Sequence, residues 1–296
     1  MNQKQIENSL KAGKIASQIR EYAKSIIRKD MLLIEIAEKI ESKIEELGGK
    51  PAFPTNLSIN EIAAHYTPSY NDETPAKGLL KVDFGVHING WISDTAFSID
   101  LENNEENKKL INATDEALKN ACAIAKKGML TSEIGKKVQE TVESYGFSPI
   151  VNLSGHSMEE YDLHSGIFIP NIDDKRNVKM TEGLYAIEPF ATSGNGKIYD
   201  GKPSGIYIIS QIRNVRSSIA REILDFIVEE YKTLPFCSRW LVKKFSTKAL
   251  FALRELENSG VITQFNQLIE VNHKPVSQSE HTILITKDKT QITTTT

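Results

Sequence analysis

One stretch constrains the fold more than any other: "KVDFGVHINGWISDTAF", residues 81–97. Asn89-Gly90 between alternating apolar residues is the strongest short-range signal for a two-residue type I′ hairpin turn. A turn at that point makes the numbers of cross-strand partners sum to 179, so Asp94 faces Gly85 and lies on the same sheet face as Asp83. The two aspartates become diagonal neighbours, with Cα atoms roughly 7–8 Å apart, and Gly85 puts no side chain between them. Like charges held that close repel. A positive group is expected there, with a metal ion as the natural candidate.

The hairpin belongs to a pattern that occurs twice. Apolar residues at helical spacing predict one helix through Ile6, Leu10, Ile15, Ile19, Tyr22 and Ile26, and a second through Leu33, Ile36, Ile40, Ile44 and Leu47, ended by Gly48-Gly49. A strand-like "AFPTNLSIN", a loop and the hairpin follow. After residue 104 a helix to about Lys127 and another over about 132–145 restart the series. "NLS" recurs at an offset of 96, and "GLLKVDF" resembles "GLYAIEPF", each with an acid five residues after its glycine: Asp83 and Glu188. This points to an internal duplication. Residues 191–272 break the symmetry, reading as three amphipathic helices followed by a short strand pair. Two units are therefore expected: a catalytic body of 1–190 and 273–296, and an inserted, winged-helix-like helical subdomain of 191–272.

Composition narrows the function. A net charge of −3, with nine Lys/Arg against seven Asp/Glu over residues 212–270 and no basic stripe, argues against DNA or RNA binding by the insert. Two cysteines form neither a disulfide framework nor a zinc spacing, which fits a reducing compartment. No apolar run approaches the about 18 residues of a membrane span, and no signal peptide is evident. A cytoplasmic protein is expected.

If each half supplies a carboxylate pair, Glu188 answers Asp83, and Glu280 stands across the insert as the second-half counterpart. His156 in "GHS" adds an imidazole. Four carboxylates and one imidazole suit two divalent first-row metals with bridging carboxylates, which make a hydrolytic centre. Taken singly, each residue has an ordinary structural reading; the matched positions carry the argument. His65 in "AAHYTP" and His164 in "YDLHSG" sit in loops, where substrate-handling side chains are common. His87 lies four residues along the strand from Asp83, about 13 Å away, outside a metal shell. Phe53 either lines an apolar pocket or simply packs.

Together, "AAHYTP", "VDFGVHINGWISDTAF", "NLSGHS", "AIEPF" and "SEHTILI" resemble the type II methionine aminopeptidases in their short archaeal form, over nearly the whole chain. The resemblance implies an α+β "pita-bread" fold, in which a curved antiparallel sheet with outer helix pairs arises by duplication. It implies two divalent metals (Co, Mn, Fe or Zn) on Asp83, Asp94, His156, Glu188 and Glu280, with Asp94 and Glu280 bridging. It implies proton shuttling by Glu188, substrate contacts from His65 and His164, and a methionine pocket lined by Phe53. The implied activity is removal of the initiator methionine from nascent chains with a small second residue. N-terminal Met-peptides are the implied partners, with the ribosome as a further one; no DNA, no membrane and a monomeric state are expected. The alternatives on the same fold are an X-Pro aminopeptidase or prolidase, or a non-enzymatic ribosome- or RNA-binding relative.

Overall fold

The computed structural model describes residues 1–295. Two helices, α1 (Gln3–Ile26) and α2 (Leu33–Glu46), precede β1 (Lys50–Ile59), β2 (Ile62–Ala64), β3 (Leu79–Ile88) and β4 (Trp91–Asp100). Then α3 (Glu105–Ile124) and α4 (Thr131–Ser144) precede β5 (Ser148–Pro149), β6 (Ser154–Met158), β7 (Phe168–Pro170), β8 (Gly183–Ile187) and β9 (Phe190–Thr192). The insert carries β10 (Ile198–Ile209), α5 (Ser218–Glu230), β11 (Phe236–Cys237), α6 (Ser238–Phe245), α7 (Lys248–Asn258) and β12 (Ile262–Glu270). The chain closes with β13 (Val276–Gln278), β14 (His281–Ile285) and β15 (Thr290–Ile292).

The duplication is visible in strand order. One sheet runs β1-β3-β4, and another contains β6-β8-β14 in the corresponding order, with β7 and β15 at its edges. Each half buries a core between its helix pair and its strands. Ile15, Ile19, Ile36, Ile40 and Ile44 pack on Leu80, Val82, Phe84 and Val86 in the first. Leu110, Leu118, Ile134 and Val138 pack near Tyr185, Ile187, Ile283 and Ile285 in the second. Helical spacing of these apolar residues sets which face turns inward. Asn2 starts α1 by accepting the Gln5 N–H, and Asn104 starts α3 by accepting the N–H groups of Glu106 and Asn107.

The hairpin register follows the turn. Asn89 (φ 50°) and Gly90 (φ 86°) both occupy the left-handed region that a type I′ turn requires. Gly85 pairs with Asp94 and Asp83 with Ala96.

The insert differs from the expected three helices followed by a short strand pair. Its strands flank the helices, with β10 before α5 and β12 after α7, and the pair is long. β10 reads "IYDGKPSGIYII", where Gly and Pro interrupt any strand pattern. It accommodates them with register shifts between Asp200 and Pro203 and between Pro203 and Tyr207. The insert sheet also takes β2 of the body as an edge strand. β9 pairs with β5 and β13, so body-type pairing continues to Thr192. A separate core of Ile223, Leu224, Ile227, Leu241, Leu253 and Leu256 packs α5, α6 and α7 together. The insert is fastened to α2 by Arg239, whose guanidinium meets the Glu41 carboxylate at 2.7 and 2.8 Å. The Trp240 indole and the Thr55 N–H donate to the same carboxylate.

Candidate metal centre and substrate pocket

Five side chains from both halves converge on one point. Asp83 and Asp94 come from β3 and β4, and His156 from β6. Glu188 follows β8 directly, and Glu280 directly precedes β14. The β8–β14 register pairs His281 with Ile187, and one further step sets Glu280 opposite Glu188. The second-half acids thus face each other, whereas the first-half acids are diagonal.

Ligand-capable atoms of Asp94, His156 and Glu280 lie within 4.8 Å of one another. The His156 Nε2 atom is 3.7 Å from Asp94 Oδ2 and 3.7 Å from Glu188 Oε1. Asp83 joins through Gln278, whose amide donates to Asp83 Oδ2 and Glu188 Oε2 at 3.3 Å each. Gln278 therefore ties one carboxylate from each half. It stands two residues before Glu280 in a polar run, and nothing in the sequence alone marks it.

The electrostatics of this cluster call for a cation. Among the described residues, His156 makes the only ion-pair contacts to these four carboxylates. Arg20 is engaged elsewhere, donating to the Thr95 hydroxyl (3.0 Å) and the Ala96 carbonyl (2.5 Å). Burial pushes the Asp83 carboxyl up to about 7, against the hydrogen bond from Gln278. Burial, then the charge of Asp83, raises Asp94 well above the usual carboxylate range. Burial, then Asp83 and Asp94, does the same to Glu188; burial, then Asp94 and Glu188, does the same to Glu280. Asp83 Oδ1 and Asp94 Oδ1 are buried without a hydrogen-bond partner, an arrangement that normally costs free energy. Burial and then His164 hold His156 well below its ordinary value, leaving a neutral imidazole, the form that binds a metal. Oxygen-rich donors with one imidazole and orphaned carboxylate oxygens fit divalent ions.

A pocket of about 240 Å³ opens beside the cluster, walled by Phe53, Leu163, Phe168, Phe265 and Leu268. The Phe53 ring lies where a Cβ on residue 85 would be, 2.5 Å from an ideal one, so only glycine fits opposite Asp94. His65 follows β2 in the left-handed region (φ 62°) and places Nδ1 3.1 Å from the Asn266 carbonyl. A carbonyl only accepts, so that nitrogen carries the proton and Nε2 is left as an acceptor. Burial lowers His65 to about 4. His164 is exposed as a residue and packs edge-on against His156, with centroids 4.3 Å apart; desolvation lowers it too. His87 lies outside the pocket, its Nδ1 accepting the Gly90 N–H.

Comparison with known proteins identifies the family. Residues 7–287 match metallopeptidase family M24. A methionine aminopeptidase of Pyrococcus abyssi is 46% identical over 98% of this chain and 99% of its own length. Among solved structures, a thermophilic Arx1 superposes with a TM-score of 0.83 at 16% identity, covering 100% of this chain and 92% of its own. A methionine aminopeptidase of Thermotoga maritima superposes with a TM-score of 0.73 at 23% identity, covering 100% of this chain and 98% of its own. These two establish the pita-bread fold. The chain belongs to metallopeptidase family M24 and, within it, to the methionine aminopeptidases.

Proposed function

We propose that Asp83, Asp94, His156, Glu188 and Glu280 hold two divalent metal ions, and that the chain uses them to release the initiator methionine of nascent proteins. The observation that supports this most is four carboxylates gathered in one pocket, Asp94 and Glu280 buried and Asp83 and Glu188 partly buried, with no lysine or arginine among the described residues paired to them and with two oxygens unpartnered. When bound, such ions generate a nucleophile from water and polarise the scissile carbonyl.

The protein's own groups do the rest. Glu188, at the pocket edge and linked to Gln278, is placed to carry a proton from the attacking water to the leaving amine. His65, with Nε2 as an acceptor, suits an incoming substrate N–H. His164, at the mouth beside His156, suits the oxygen on which charge develops. Phe53 and Leu163 give the first side chain an apolar wall, which suits an apolar side chain such as methionine.

Mn²⁺, Fe²⁺, Co²⁺ and Zn²⁺ all suit the donor set. We place the protein in the cytoplasm, acting as a monomer on nascent chains at the ribosome. No described helix is long and apolar enough to cross a membrane. Cys122 and Cys237 are buried and free, their thiols pushed up to about 12 by burial, in keeping with a reducing compartment.

Metal-loaded protein is expected to cleave Met-Ala-Ser and to leave its N-acetylated form intact, because the free amine must enter the acidic site. Equal cleavage of both contradicts an aminopeptidase. Faster turnover of X-Pro peptides replaces this reading with the X-Pro alternative.

A further inference from the structure

Asp94 and Glu280 belong to opposite halves, and the strands beside them meet without forming a ladder. β4 ends the first sheet, while β14 pairs with β8 and β15. Among the described residues one main-chain bond crosses at this point, from the Glu280 N–H to the Ala96 carbonyl at 2.9 Å. Hydroxyl groups make the rest of the joint. The Thr282 hydroxyl accepts the Asp94 N–H at 2.7 Å and donates to the Asp94 carbonyl at 2.8 Å. The Thr95 hydroxyl donates to the Glu280 carbonyl at 2.8 Å.

Thr282 is itself gripped from behind. Its N–H donates to Thr294 Oγ1 at 3.2 Å, and its carbonyl accepts the Thr293 N–H at 2.9 Å. Thr282, Thr293 and Thr294 are all buried. Thr293 also presses on α1, where a Cβ on Gly13 would come within 2.4 Å of its carbonyl oxygen. A β-ladder spreads the positioning of a strand over many bonds. Here one oxygen atom holds both main-chain groups of Asp94, two residues along from Glu280.

We propose that Thr282 is a positioning residue for the metal centre. Its hydroxyl, backed by Thr293 and Thr294, sets the spacing between Asp94 and Glu280 and so the affinity for divalent ions. The hydroxyl's proton and one lone pair are taken by the main chain of Asp94, and Thr282 does not line the pocket, so it acts through Asp94 and not as a ligand. The inference rests on the metal-centre reading above.

The test titrates metal-free protein with Mn²⁺ by calorimetry and records melting curves beside it. Thr282→Val keeps the shape and removes the oxygen. It is expected to weaken the tightest Mn²⁺ site by about 10–100-fold, the range for outer partners of metal ligands, with some loss of melting temperature because the buried Asp94 N–H and carbonyl lose their partner. Thr282→Ser is expected to restore binding. Leu284→Ala, fully buried on the same strand, serves as the structural control: its melting temperature drops and its Mn²⁺ affinity stays. Thr294→Val is expected to weaken Mn²⁺ binding by a smaller factor, and decides the matter if Thr282→Val does not fold. Parent-like affinity in Thr282→Val, or in Thr294→Val where that variant decides, overturns the proposal. So does an affinity loss in Leu284→Ala matching that of Thr282→Val. A parent protein that binds no Mn²⁺ overturns the metal-centre reading and this inference together, whereas a binding parent with an unaffected Thr282→Val overturns this inference alone.

Discussion

In the first half, Asp83 and Asp94 sit on strands joined by a two-residue turn, so the chain's local chemistry aligns them. In the second half, Glu188 and Glu280 flank strands separated by the whole insert, and only the β8–β14 pairing brings them opposite. The element order of the halves is the same, yet one pair is diagonal and the other face to face. A local turn sets register by itself. A split pair depends on distant packing, and here it draws on the hydroxyl seam and on Gln278. The second-half acids should therefore be sensitive to changes far from the metal centre, and the first-half acids much less so.

The largest effect is expected in the first half at Asp94. Asp94→Asn keeps the shape but removes a charge shared between both halves. Metal binding and turnover should fall together, by more than the about 10–100-fold typical of residues that merely support a ligand. Metal titration with kcat/KM on the same sample checks it, and near-full activity at low metal would remove Asp94 from the centre.

Next comes the insert's fastening. Arg239→Met leaves Glu41 buried without its partner, which typically costs about 3–5 kcal/mol. Denaturant unfolding should show that loss. The insert is held by α2 and β2 of the first half, so if the comparison of the halves is right, hydrogen exchange at the insert strands β10 and β12 should rise while the locally set β3 and β4 stay protected. Equal loosening of both strand pairs would break the comparison.

His65→Ala and His164→Ala are expected to bind metal normally and to melt like the parent; His164→Ala should lose about 10²–10³-fold in kcat/KM, roughly 2.7–4 kcal/mol, as for a lost oxyanion donor, and His65→Ala, which loses an acceptor for a substrate N–H, should lose less. Unchanged kinetics would make them ordinary loop histidines, and lost metal would place them among the ligands.

The smallest effect concerns pH. Burial, then Lys50, lowers His87 to about 4 in the folded state, against about 6.5 unfolded. The unfolded chain then binds the extra proton, so the stability this group contributes is present above about pH 6.5 and lost as pH falls towards 4. His87→Phe should flatten the stability profile between those values, as followed by urea midpoints. A parent-like slope would mean that other groups carry it.

Legibility in the sequence follows the same division. The hairpin register could be read because Asn89 and Gly90 dictate it locally. The helix pairs could be read because Ile15, Ile19, Ile36 and Ile40 keep helical spacing over long runs. The face-to-face placement of Glu188 and Glu280 could not, since no local signal sets a register across an insert. Gln278 and Thr282 stayed hidden because their roles lie in partners at least 90 residues away in the chain. β10 was obscured by its own Gly201, Pro203 and Gly205, which its bulges absorb.

The central claim is that both halves together build one dinuclear centre. Its most direct test is the metal stoichiometry of protein purified without added metal and titrated with Mn²⁺ or Co²⁺. The account predicts two ions per chain, at least one of them lost in Asp94→Asn and again in Glu280→Gln, one substitution from each half. A parent that saturates without binding two ions, or one whose stoichiometry survives either substitution, would contradict it.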